Sequence, residues 1–184
     1  MAGFRLSDER YEEIKEIVVN MFERYQVSCV PISGFEIAAK MGIKVVPYSA
    51  YDEKTRALLM KESEDGFFVE TIDGEFFIFY NDTMGYGRIN HTIMHEIAHI
   101  ILGHTEDSDL ADAEVSFFAK YALAPPVLIY KLKLDNPYEI ADVFEISLEA
   151  AYYAYSYYQK WMVYGDKFFT AYELKTLELF REVV

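Results

Sequence analysis

The apolar positions near the start of the chain recur at helical spacing. Tyr11, Ile14, Ile17, Val18, Met21, Phe22 and Tyr25 fall three or four apart, so the pattern predicts a helix to about Tyr25. Ser7 stands where an N-cap belongs, and Asp8 and Glu9 follow at the positive end of the helix dipole. Pro31 breaks the chain, and a short helix is expected after Ser33 with Phe35, Ile37 and Ala38 inward and Gly42 at its end. Residues 43–47 read as a short strand. Three further runs, 56–61, 67–72 and 75–80, read as antiparallel sheet, the last two joined by Asp73-Gly74 as a hairpin. A loop at 81–87 leads to a helical pattern over 88–102, with Ile89, Ile93, Ile97, Ile100 and Ile101 on an apolar side and Gly103 as its stop. Beyond an acidic loop, helices are expected at 110–123, ended by Pro125-Pro126, and at 126–133, 137–144, 147–163 and 168–182. Strands first and helices afterwards indicate an α+β fold.

Composition narrows this picture. A chain of 184 residues with 52% apolar and 26% charged side chains fits one folded domain. Sixteen Tyr and fourteen Phe predict an aromatic-rich core. The net charge of -14 opposes non-specific binding to phosphate backbones and to anionic membrane surfaces. The single cysteine, Cys29, rules out an internal disulfide, fits a reducing compartment and reads as a small buried hydrophobe. Residues 7–15 are charged where a secretory leader needs an apolar stretch, and no apolar run reaches the ~18 residues of a membrane span. A cytoplasmic protein is expected.

The residues that carry chemistry are His95-Glu96-Ile97-Ala98-His99. On a helix, side chains four apart share a face, so both imidazoles can reach one ion. Catalytic zinc takes three protein ligands and a water whose pKa falls to about 7. Glu96, beside the pair, is the candidate general base. Among third ligands, His104 lies past Gly103, only five residues after His99, and a longer loop is expected to fold a ligand back. Glu114 on the following helix is the better candidate. Glu106, Asp107, Asp109 and Asp112 compete on chemistry; all but Asp112, which could sit near the site, read as a solvated acidic loop.

These segments resemble the ImmA/IrrE family of metallopeptidases, associated with phage and mobile-element immunity and with stress regulation. The resemblance rests on Arg88, Thr92-Ile93-Met94, the His95–His99 motif, Ile100-Ile101-Leu102-Gly103-His104, and Glu114-Val115-Ser116-Phe117-Phe118-Ala119 followed by Ala122-Leu123-Ala124-Pro125. The segments Ile37-Ala38-Ala39-Lys40-Met41-Gly42-Ile43 upstream and Ile140-Ala141 to Phe144, Ile146-Ser147 and Ala150-Ala151 downstream extend it over nearly the whole chain. It implies a zincin-like fold with a small antiparallel sheet packed on the paired-His helix. It also implies one Zn2+ held by His95, His99 and Glu114, and hydrolysis of a protein substrate. That substrate would be a helix-turn-helix repressor of a phage or mobile element. Ala98, Val115 and Ser116 depart from the family's Gly, Ala and Asn, the last two bearing on hydrogen bonds around Glu114. Two His and one Glu favour zinc over manganese or iron.

Other residues carry weaker signals. His91, four before His95, reads as an ordinary helix-surface residue, with a role behind the ligands or at substrate as its functional alternative. His104 is either a donor to the oxyanion of the tetrahedral intermediate or a helix C-terminal His favoured by the dipole. Tyr121 reads as core, with the oxyanion role as alternative. Strand 75–80, if at the sheet edge facing helix 88–102, would hold an extended peptide by strand addition. Residues 1–125 would form the metallopeptidase core of a single domain and 126–184 a helical part with a helix-turn-helix look. Because residues 135–159 carry acids and no Lys or Arg, that pair reads as structural or protein-recognising. The stripe Tyr152, Tyr153, Tyr155, Tyr157, Tyr158 and Trp161 reads as mostly core packing, with an exposed partner surface as the alternative for part of it. The rival to an enzyme is a binding protein with a structural or vestigial metal site that sequesters a repressor or toxin, and the intact Glu96 argues against it. A DNA-binding regulator is disfavoured by charge.

Overall fold

A computed structural model of the protein describes residues 5–106, 108–165 and 168–183. Helix α1 (Asp8–Arg24) begins as the pattern predicts, with the Ser7 hydroxyl accepting from the Arg10 N–H, and it buries Ile14, Val18, Val19, Met21 and Phe22. Helix α2 (Gly34–Met41) is capped by Ser33 and ended by Gly42 in the left-handed region at φ 77°. Then come β1 (Lys44–Pro47), a 3-10 turn at Tyr48–Ala50, α3 (Glu53–Glu62), β2 (Gly66–Glu70) and β3 (Phe76–Tyr80). The helices α4 (Tyr86–Leu102), α5 (Asp109–Leu123), α6 (Pro126–Leu132), α7 (Pro137–Phe144), α8 (Leu148–Tyr164) and α9 (Ala171–Leu179) complete the α+β fold.

Residues 56–61 are not a strand. They belong to α3, where the Asp52 carboxylate accepts from the Thr55 N–H at 2.8 Å and caps the run. Ala, Leu, Met, Lys and Glu dominate that segment, good helix formers that suit an exposed helix with no buried residue. The sheet is therefore three-stranded in the order β1-β3-β2. β2 and β3 form the expected hairpin, turned by Gly74 at φ 77° with the Thr71 N–H donating to the Glu75 carbonyl at 2.9 Å. β1 joins parallel to β3, pairing Lys44 with Phe77 and Pro47 with Tyr80, so the sheet is mixed. The condition set for strand addition at 75–80 is not met: β3 is the centre strand, which suits its unbroken run Phe76-Phe77-Ile78-Phe79-Tyr80, and β1 and β2 are the edges.

Helix α4 lies against α2, β2, β3 and α5 and buries Ile93, Met94, Ile97 and Ala98. Asn90, fully buried on α4, donates to the Ile32 carbonyl at 2.9 Å and accepts from the Gly34 N–H at 2.7 Å, tying α2 to α4. At the start of α4, Arg88 grips Asp65 through two bonds of 2.7 and 2.9 Å. Helix α1 packs on α5 and α9, while α8 packs on α5, α6 and α7.

Two further expectations change. Cys29 is exposed, because Val27 and Ile32 fill the apolar positions of its turn. On α8 only Ala151 and Ala154 are buried; Tyr152 and Tyr153 are exposed and the other rings of the stripe are half-buried.

Candidate metal centre

His95 and His99 share a face of α4, their ring centroids 5.1 Å apart. His99 is buried, and the ring of Phe68 from the edge strand β2 stacks on it at 5.9 Å and 27°. Glu96 is buried beside them. Burial, then the neighbouring His99 and His91, pushes the His95 pKa down to about 4, so at neutral pH this imidazole carries a lone pair free of a proton, the form that binds a metal.

Helix α4 ends at Gly103, whose φ of 71° suits glycine and turns the chain sharply back. The His104 N–H then donates to the His99 carbonyl at 3.1 Å. That turn brings the His104 ring into the site without a longer loop, contrary to expectation. Its Nδ1 lies 3.3 Å from Nδ1 of His99 and its Nε2 lies 2.8 Å from Oε2 of Glu114. Glu114 enters from α5, which packs against α4, and its side chain is buried. Its other oxygen, Oε1, accepts from Nε of Arg10 on α1 at 2.7 Å. The Arg10 bond outweighs the burial that opposes it and, with His104, holds the Glu114 carboxyl below the usual carboxylate range.

Both oxygens of Glu114 are thus engaged, and His104 stands between Glu114 and His99, bonded to both. As the side chains stand, no three His, Cys, Asp or Glu groups among the described residues come together closely enough to hold an ion. The donors fit a divalent metal in kind. His95 is kept neutral by burial, Glu114 is kept ionised, and His99 sits one turn from His95.

The model of the IrrE N-terminal-like domain, a peptidase family (M78), matches residues 38–156. The chain belongs to this family. Among curated proteins none matches it. The matched residues of the peptidase include His95, Glu96, His99, His104 and Glu114, whereas Arg10 lies outside them.

The remaining candidates separate. Glu106, Asp109 and Asp112 are exposed, and Asp107 lies outside the described residues. His91 is half-buried, not on the open surface, with its ring 6.2 Å from that of His95. It lines a small void with Gly87, Lys120, Ile146 and Ala150, and burial pushes its pKa down. Tyr121 is core: its hydroxyl is buried without a hydrogen-bond partner, and burial raises its pKa well above 10. The charged and phenolic groups that act on it are Tyr172, Tyr157, Glu173 and Glu12, none of them in the metal centre. A cavity of about 860 Å³ lined by Lys15, Tyr130, Tyr157, Trp161 and Tyr172 also holds none of the metal-centre residues. That cavity carries Glu12 and Glu173 but no histidine, whereas the paired imidazoles and Glu96 lie together on α4. Sequence reading missed Arg10 and Phe68. Nothing in the chain links Arg10 to a partner 104 residues away, and Phe68 looks like any other strand aromatic.

Among the described residues no helix is long and apolar enough to cross a membrane.

Proposed function

We propose that this peptidase is a zinc-dependent endopeptidase, with His95, His99 and Glu114 as ligands and Glu96 as general base. The observation that carries this reading is the pair of imidazoles on one face of α4, linked through His104 to an ionised carboxylate on α5. When bound, zinc supplies Lewis-acid polarisation of the scissile carbonyl and acidifies a water. Glu96 takes a proton from the attacking water and returns it to the leaving amine. Phe68 covers one face of the His99 ring and keeps water from that side. The edge strand β2, which carries Phe68, offers its unpaired side to an extended substrate by strand addition. His104, once it leaves Glu114, is placed to donate to the developing oxyanion. By the family resemblance the substrate is a helix-turn-helix repressor of a phage or mobile element, cut in the cytoplasm. The chain works as one domain, with residues 1–125 carrying the centre and 126–184 forming the helical part.

One observation favours a second reading, a binding protein with a vestigial site: Glu114 is held by Arg10 and His104 and not gathered with the His pair. Metal content and cleavage separate the two. The enzyme reading expects one zinc per chain in both the native protein and Glu96→Gln. It also expects cleavage of the repressor to fall about 10²–10⁴-fold in the variant, the usual size of a general-base contribution. Zinc-free native protein that binds the repressor intact would establish the second reading.

A further inference from the structure

We infer that Arg10 is a positioning residue for the metal-binding carboxylate: it holds one oxygen of Glu114 so that the other faces the His pair. The inference rests on the reading of Glu114 as a ligand. It comes from how the two oxygens divide. Oε1 accepts from Nε of Arg10 at 2.7 Å on the α1 side. Oε2 meets Nε2 of His104 at 2.8 Å, and the far nitrogen of that ring lies 3.3 Å from Nδ1 of His99. Oε2 is therefore the oxygen on the His side. For Glu114 to reach an ion, His104 must leave Oε2 and the carboxylate must close on the His pair, while Arg10 keeps its hold on Oε1.

Both ends of the Arg10–Glu114 bond are anchored. Arg10 sits in the first turn of α1, where its N–H donates to the capping Ser7 hydroxyl at 3.2 Å. Its Nη1 donates to Glu13 Oε2 at 2.9 Å, which fixes the plane of the guanidinium. One residue on, Tyr11 packs edge-on against Phe117 of α5 with centroids 4.6 Å apart, so the two helices meet within one turn of Glu114. A planar guanidinium with several donors in fixed directions can orient a carboxylate in a way that a lysine ammonium reproduces only in part. Groups that orient a ligand from behind change metal affinity about 10- to 100-fold when removed.

The test uses the full chain stripped of metal. Zinc affinity is measured by competition with a chromophoric chelator, and the Co2+ complex is read by its ligand-field absorption, for the native protein, Arg10→Met, Arg10→Lys and Glu114→Gln. The expected results are a 10- to 100-fold loss of zinc affinity and a shifted Co2+ band in Arg10→Met, with an intermediate loss in Arg10→Lys. Native affinity and a native Co2+ band in Arg10→Met overturn the inference, even if that variant melts at a lower temperature, because the pair is then only structural. If Arg10→Met does not fold, Arg10→Lys decides on the same two readings: weakened binding with a shifted band supports the inference, and unchanged values overturn it. Native affinity in Glu114→Gln is a separate failure. It removes Glu114 from the ligand set and takes the inference down with it.

Discussion

Helices α4 and α8 are both 17 residues long, yet they behave oppositely. α4 buries eight residues, four of them polar or charged: Asn90, Thr92, Glu96 and His99. α8 is crowded with tyrosines, leaves Tyr152 51% and Tyr153 42% exposed, and buries only two alanines. The difference lies in how many sides are covered. α4 meets a helix on either side and two strands, so even its polar positions are enclosed. α8 rests on α5, α6 and α7 by its alanine face, and its rings lie along the margin of that contact. Enclosing polar groups costs stability unless each is bonded, as Asn90 is.

The contrast predicts a ranking. Ile93→Ala on α4 empties a fully buried site and should cost about 2–5 kcal/mol by denaturant unfolding. A loss under 1 kcal/mol would mean that α4 is not the enclosed element. Next comes pH, measured on metal-free protein. The His95 pKa in the fold, about 4, lies below its ordinary 6.5. The unfolded chain therefore binds the extra proton between those values. Stability is full above pH 6.5, falls as pH drops toward 4 and levels off below it. The shift corresponds to a loss on the order of 3 kcal/mol. His95→Asn should flatten that part of the profile, and a variant with native pH dependence would assign the slope to other groups.

Smaller still is the joint between the two helices. A methyl group on Gly87 of α4 would lie 2.7 Å from the Ser147 N and 3.0 Å from the Ile146 carbonyl carbon, at the turn that starts α8. Gly87→Ala should cost about 1–3 kcal/mol, as overpacking does, and an unchanged melting temperature would show that the two helices are not tightly joined there. Tyr152→Ala on α8 should stay within about 0.5 kcal/mol of the native protein, despite its large ring, because half of it is already in water. A large loss would make the tyrosine stripe core after all.

Much of this was readable along the chain. The capping residues Ser7 and Ser33, the stops at Gly42 and Gly103 and the Asp73-Gly74 hairpin act through neighbours a few residues away, and each is found where local chemistry puts it. The spacing of His95 and His99 is legible for the same reason, since four residues on a helix fix a shared face. Segment 56–61 is a helix and not a strand: its residues are good helix formers and its cap, Asp52, lies outside the run.

What the sequence determined by itself, then, was most of the elements, the paired imidazoles and the acidic charge, all of which follow from residues close together in the chain. Tertiary structure decided the rest. It put β3 at the centre of the sheet, turned His104 back onto His99, left the α8 tyrosines at the margin and set Arg10 against Glu114. Those outcomes depend on which surfaces meet when distant helices and strands pack, and no local pattern of side chains encodes that meeting in advance.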